Sequence, residues 1–281
     1  MADKSKHSQE NITALFNQIA TGYDNEAMRF FPFCADQIVA RLKPMPGEKI
    51  LDIATGTGMV ALAAAQAVGP TGRVIGIDLA EDMLSRAQKH KEKSGLINID
   101  LHVMDAAALD FRSHYFHHSI CSFGIFFLSD MLVGLKEWLR VTRPGGRILF
   151  TCFSTPSFQP MADLFRARLL AHGVDLPGEQ GFPWMRLNTS EKCQTLLTAS
   201  GLENATVDTM QMGYHLPTVH TWWDVVWNSG FRGLLAKLPP AKIEEFRVAH
   251  LNEVAQLMTT KGLWLNVEVH FALGHKPVQP S

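Results

Sequence analysis

The sequence predicts an α/β protein: a doubly wound, mostly parallel sheet of seven strands, with an antiparallel C-terminal strand and a helical cap inserted in its second half. Three observations carry that expectation. Between residues 49 and 153, apolar runs of strand length alternate with segments of helical period. Within them, residues 50–65 (ILDIATGTGMVALAAA) pass from an apolar strand through two glycines into an alanine-rich helix, a turn that lets backbone approach a ligand. After Ser154 the rhythm breaks into sequence rich in Pro, Gly and Trp, and the chain closes on an alternating run, LWLNVEVHFALGHKP, that reads as a last strand.

In chain order, the polar start MADKSKHSQE is expected to be frayed. NITALFNQIATGYD places Ile12, Leu15, Phe16 and Ile19 on one helical face. A second helix near 35–42 stops at KPMPG. Strand 49–54, helix 59–68, strand 73–78 and helix 81–93 follow, the last ended by KSG. Next come strands 99–104 and 119–124, helix 131–142 ended by RPGG, and strand 147–153. Crossover connections of this kind make parallel sheets covered on both faces. In the second half, MADLFRARLLAHG reads as a helix within 155–188, and helix 190–200 and strand 203–212 resume the core rhythm. TVHTWWDVVWNSGF and PAKIEEFRVAHLNEVAQLMTTKG are helical in pattern. The expected organisation is a helical lid over 1–45, a ligand-binding core over 46–154, and the rest of the sheet with a substrate cap over 155–281, the cap being about 155–188 and 215–260.

The chain has 281 residues, 46% of them hydrophobic and 19% charged, with a net charge of −1. It lacks the basic excess that binding a polyanion demands, which argues against nucleic acid as a partner. No stretch reads as a signal peptide or membrane span, so a cytoplasmic protein is expected. Cys34, Cys121, Cys152 and Cys193 form no CxxC pair; they are expected to be buried and to hold no metal.

Three ligands compete for the glycine turn. A P-loop requires a Lys after its last glycine, and none follows Gly58. Gly56, Gly58 and Ala61 do satisfy the GxGxxA dinucleotide pattern. Local charge discriminates, because Asp52 stands in the strand before the turn, where it would repel a pyrophosphate. S-adenosylmethionine, with its sulfonium, ammonium, ribose and adenine, suits that carboxylate. Asp78, about twenty residues past the glycines, can accept from both ribose hydroxyls. Asp105 can accept from the adenine amino group, and the Ala106 N–H can reach a ring nitrogen. Three acids at three successive strand ends line one crevice.

On these residues the chain resembles the class I S-adenosylmethionine-dependent methyltransferases, over about residues 10–155 and again at the last strand. DIATGTG is similar to the family's glycine motif, with Ala54 where the first Gly is usual. VIGIDLAEDMLSRAQ is similar to the second motif, which implies Asp78 for the ribose and Leu79 against the adenine, with Met83 in the same site. MDAAALDF resembles the acidic third motif, and LKEWLRVTRPGGRILF the approach to the fifth strand. The resemblance implies a Rossmann-like fold. GYD after the first helix and SFG at 122–124 resemble the ubiquinone/menaquinone C-methyltransferase branch, which implies Tyr23 closing over the cofactor. Ser122 and Phe123 would then stand where methyl donor and acceptor meet. Ile125, Phe126 and Phe127 replace that branch's Arg-Asn pair, and His117 its usual Asp.

The expected acceptor is a small apolar or aromatic metabolite, methylated at carbon or oxygen. Phe126, Phe127, Trp184, Trp222, Trp223 and Trp227 are the candidate acceptor pocket. His215 and His220 are the candidate general bases, ahead of Asp163 and Asp224. His117 and His118 open a strand at the opposite edge and are left out. A cyclase or a non-transferring cofactor-binding protein on the same fold is the alternative, and a NAD-dependent oxidoreductase the distant one.

Overall fold

The computed structural model describes residues 2–176 and 182–278. The chain enters through α1 (Ala2–Ile19), a 3-10 turn (Glu26–Met28) and α2 (Phe30–Leu42). The first half of the sheet follows: β1 (Lys49–Ile53), α3 (Met59–Val68), β2 (Arg73–Asp78), α4 (Glu81–Ser94), β3 (Ile99–Val103), β4 (Phe116–Ser122), α5 (Met131–Val141) and β5 (Thr142–Phe153). The second half runs through α6 (Met161–Ala171), a 3-10 turn (Pro183–Leu187), α7 (Ser190–Ser200), β6 (Glu203–Gln211), β7 (Tyr214–Leu216), α8 (Val219–Trp227), α9 (Phe231–Leu235), α10 (Ile243–Ala255), β8 (Leu263–Leu265) and β9 (Glu268–His275).

Seven strands form one sheet in the order β3-β2-β1-β4-β5-β9-β6, with β9 antiparallel to both neighbours. β1 pairs in parallel with both β2 and β4. The connection therefore reverses direction between β1 and β4, and α/β sheets open a ligand crevice at the carboxyl ends of such strands. The central strands read as continuous apolar runs because they are covered on both faces. In β1, Ile50, Leu51 and Ile53 are buried, and Asp52 is buried among them. Helix ends follow local signals. Asp130 caps α5 by accepting from Leu132 N and Val133 N, and Gly95 and Gly201 end α4 and α7 in the left-handed conformation.

The second-half helices pack on the sheet through an aromatic cluster. Trp184 stacks on Phe182 with centroids 4.2 Å apart, and Phe158 and Phe231 meet Trp184 at 5.7 and 5.4 Å. Trp222, fully buried, donates its indole N–H to His250 Nε2 at 2.8 Å. All four cysteines are buried and free. Among the described residues no group of side chains could hold a metal ion, and no helix is long and apolar enough to cross a membrane.

Several boundaries differ from the sequence expectation. The polar start is helical, extending α1 back to Ala2. α2 begins at Phe30 rather than near 35, because Phe30 is buried among Phe123, Phe153 and Phe158. β4 lies earlier than 119–124: Phe123 turns out of the strand with φ of +55°. The RPGG run belongs to β5, whose first residue pairs with Phe116 ahead of a bulge. The closing run is two strands. Asn266 breaks it, its amide bonded to Pro156 O and Gln211 Nε2, so that β8 leaves the sheet to pair with β7.

Candidate active site

The crevice is built from four strand ends. After β1, Ala54 takes φ of +53°, a left-handed conformation that costs an L-residue about 1–2 kcal/mol. Thr55 N then donates to Ile77 O and Gly56 N to Asp78 Oδ2, both at 2.9 Å. Asp78 Oδ1 accepts from Ala80 N at 2.9 Å, so backbone amides fix this carboxylate at the end of β2. After β3, Asp105 Oδ1 accepts from Ala107 N at 2.8 Å, and Oδ2 accepts from Gln9 Nε2 at 3.0 Å. After β4, Phe123 N donates to Thr151 O, and a Cβ on Gly124 would stand 2.6 Å from Ala54 Cβ. Only glycine there lets the turns after β1 and β4 touch.

Asp52 is the most buried of the acids, 1% exposed. Its Oδ2 accepts from Thr55 Oγ1 at 2.6 Å, while Oδ1 has no hydrogen bond of good geometry. Burial pushes its pKa up to about 7, against the Thr55 hydroxyl and the Ala61 N–H, which favour the ion. Burial likewise raises Asp78. Tyr23 is stacked on Phe31 at 4.9 Å; burial, with Asp78 and Asp24 nearby, raises its hydroxyl above the usual phenol range. The GYD segment is latched to α4, since Asp24 accepts from Arg86 Nη2 at 3.1 Å and pairs with His90 Nε2 at 3.4 Å.

The main hollow holds about 1250 Å³, its open mouth included, and an adjoining one of about 400 Å³ reaches Asp52. Together they are lined by Tyr23, Asp52, Ala54, Gly56, Asp78, Leu79, Met83, Asp105, Ala106, Ser122 and Phe123. Gly58 lines neither. It caps α3 with φ of +84°, and a Cβ there would stand 3.0 Å from Ala87 Cβ, so its place is set by helix packing.

The acceptor candidates separate. Phe127 lines the crevice, whereas its neighbour Phe126 is buried behind it. Trp184 and Trp222 belong to the aromatic cluster beneath the second-half helices, and Trp223 is buried against Trp227 with centroids 6.1 Å apart. Trp227, 37% exposed, carries the Arg232 guanidinium over its ring. None of these four lines the crevice. Neither do the histidines. His215 lies on the β7–β8 ribbon, edge-on to Trp264 at 5.0 Å, and His220 is exposed in the first turn of α8. Asp163 and Asp224 also stand outside it. His118 sits at the far edge of the sheet against Glu48, at 3.1 Å.

The sequence reading missed one wall. Gln9, Ile12, Thr13 and Phe16 share the face of α1 that lines the crevice. Leu15, grouped with Ile12 and Phe16 on sequence, packs instead over Gly233. Arg186 at the rim carried no sequence signal at all. The 9, 12, 13, 16 spacing was legible; its direction was not.

A buried carboxylate oxygen lacking a good partner, flanked by two more carboxylates, fits a ligand bearing a cation and hydroxyl donors and repels a pyrophosphate. With the strand order and the left-handed turn after β1, this crevice defines the S-adenosylmethionine-dependent methyltransferase class. Residues 4–171 match the ubiE/COQ5 methyltransferase family, and the chain belongs to that family. It is an S-adenosylmethionine-dependent methyltransferase, not a NAD-dependent oxidoreductase. It is 35% identical over 170 residues to aklanonic acid methyltransferase DauC of Streptomyces sp. strain C5, covering 57% of this chain and 76% of that one. It is also 35% identical over 171 residues to demethylmenaquinone methyltransferase of Staphylococcus aureus strain JH9, covering 59% and 68%. The solved [4+2]-cyclase SpnF superposes with a TM-score of 0.59 at 17% identity, covering 95% of this chain and 93% of that one, a likeness of fold alone.

Proposed function

We propose that the enzyme methylates a small, largely apolar or aromatic metabolite at carbon or oxygen. The observation that carries this reading is the apolar wall of the crevice. Ile12, Phe16, Phe127 and Leu128 line it together with the carboxylates of Asp78 and Asp105. Phe16 meets Phe127 edge to face at 5.2 Å, a wall suited to a flat acceptor. The names of two relatives, which act on aklanonic acid and on demethylmenaquinone, support it. The near-neutral charge argues further against a polyanionic acceptor.

S-adenosylmethionine supplies, when bound, a methyl group on a cationic sulfur. Asp78 accepts from the ribose hydroxyls, Asp105 from the adenine amino group, and Asp52 pairs with the ammonium. Ser122, Phe123 and Gly124 form the turn after β4 that lines the crevice. Residues 1–45 serve as a lid that closes through Tyr23; of the expected cap over 155–188 and 215–260, of which 177–181 lie outside the described residues, Arg186 alone among the described residues lines the crevice. Among the described residues, those lining the crevice include no histidine. The protein therefore works by holding the acceptor in line and excluding water, and the acceptor arrives as an ionised oxygen or an electron-rich ring.

The test is incubation with methyl-labelled cofactor and separate pools of small metabolites, protein and nucleic acid. Label in the small-molecule pool is expected. Label mainly in either macromolecule overturns the reading, and binding without any transfer returns the cyclase or carrier alternative.

A further inference from the structure

Tyr23 lines both hollows of the crevice, and the residue before it is a glycine. Gly22 does not use the conformational freedom of its type, for its φ lies outside the left-handed region. What the position lacks is space. A Cβ there would stand 2.0 Å from Asn228 Oδ1 and 2.6 Å from Asn228 Cγ, well inside van der Waals contact. Asn228 caps the C-terminus of α8, in the second half of the chain. The amide is oriented by its other end: Nδ2 donates to Asp224 O at 3.0 Å, which leaves Oδ1 against Gly22.

The helix that carries Asn228 is anchored. Trp222 and Val226 of α8 are fully buried, and the Trp222 indole is bonded to His250 on α10. Two further contacts join the second half to the N-terminal segment. A Cβ on Gly233 would stand 2.9 Å from Leu15 Cδ2. Tyr214 Oη donates to Ala27 O at 2.8 Å, with the Arg29 guanidinium 3.8 Å over its ring. These contacts bracket Tyr23 along the chain, and all of them come from beyond residue 171, where the match to the family ends. Among the described residues that part of the chain brings Arg186 alone to the crevice itself. It meets the cofactor site chiefly through the segment that covers it.

We propose that Asn228 is a positioning residue: set against Gly22, it fixes how Tyr23 lies over the cofactor, so that the second half of the chain controls how long the cofactor stays bound. This rests on the reading of residues 1–45 as a lid. The effect passes through the backbone. Gly22 and Tyr23 share one peptide plane, so a displaced Gly22 carries the Tyr23 ring off its stack on Phe31.

The test is S-adenosylhomocysteine dissociation from the full chain in stopped flow, with urea unfolding measured alongside. Gly22→Ala adds the methyl group that collides with Asn228, and dissociation is expected to quicken about tenfold, the size of a modest overpacking cost. Asn228→Ala removes the seat and with it a weak C–H···O contact, and dissociation is expected to quicken about threefold. In Gly22→Ala/Asn228→Ala the new methyl fills the space the amide has left, so the rate should lie within about twofold of Asn228→Ala alone. Native-like dissociation in either single variant overturns the proposal, as do rates that multiply in the double variant. A merely structural contact would lower the urea midpoint and leave dissociation from the folded chain unchanged, which also overturns it. Should Gly22→Ala fail to fold, the rate in Asn228→Ala decides alone. Amide exchange over residues 10–30 tests the lid separately. Exchange slowed by S-adenosylhomocysteine in the native chain, with no coupling between the two sites, sinks this proposal and keeps the lid; exchange that does not slow sinks both.

Discussion

Gln9, in the third turn of α1, donates its side-chain amide to Asp105, two residues past the end of β3. The N-terminal helix thus lies over the carboxylate proposed to read the adenine. Phe16 and Tyr23 continue the same cover, 6.2 Å apart. If this helix is a lid, Gln9→Ala speeds cofactor association severalfold in stopped flow, because the lid loses a bond of about 1 kcal/mol that holds it over the crevice. Amide exchange over residues 10–30 slows when cofactor binds. Unchanged exchange there counts against a lid.

Asp78 is held by two backbone amides, one on each oxygen, and lines the crevice, so each oxygen can accept a further bond. Asp78→Ala is expected to weaken S-adenosylmethionine binding by about 1–3 kcal/mol through loss of charge-assisted bonds. Calorimetric titration reads this directly, and an unaltered affinity would move the ribose elsewhere.

Asp52 makes both stability and binding depend on pH. Its folded pKa, about 7, lies above the unfolded value of about 4. Its stabilising contribution is therefore complete below about pH 4 and is lost as pH rises through about 7. Asp52→Asn should flatten that loss in the free protein, an effect on the order of a few kcal/mol in urea unfolding at pH 8 relative to pH 5. Pairing with the cofactor ammonium reverses the preference for the protonated form. Affinity for S-adenosylmethionine accordingly climbs between pH 5.5 and 7.5, with a proton released on binding that appears as a buffer-dependent enthalpy. A flat profile in the native enzyme would break this account.

The aromatic residues divide into wall and core. Phe127→Ala should raise the acceptor KM with little loss of cofactor affinity. Trp222→Ala should cost about 3–5 kcal/mol of stability, since it empties a fully buried site and strips His250 of its donor. His215→Ala should leave turnover close to native, because the residue stands on the β7–β8 ribbon away from the crevice. A large fall in kcat for His215→Ala, with folding intact, would restore it as a base.

The cofactor half of the crevice was readable because its residues sit at fixed offsets from strand ends. Asp52, Asp78 and Asp105 each follow or end an apolar run, and a strand's end is a local property. Ala54 shows the limit even there. Its left-handed backbone explains why glycine is usual at that position, but the sequence shows only the substitution. The acceptor half depends on which way a ring turns. Phe126 and Phe127 are adjacent in one 3-10 turn, and one is core while the other is wall. Trp222 is committed to the interior by His250, 28 residues further on, which no local pattern reveals. Arg186 reaches the rim because distant segments hold its turn in place, so nothing near it in the chain announced it.

The antiparallel strand β9 lies between β5 and β6, and among the described residues β6 has no other neighbour in the sheet. Translation delivers both flanking strands before the one that joins them. Until residues 268–275 leave the ribosome, β5 and β6 each present an open hydrogen-bonding edge, and β6 has nothing to pair with. The long-range closure that completes this sheet thus waits for β9, although the cofactor crevice is made entirely of chain that has already emerged.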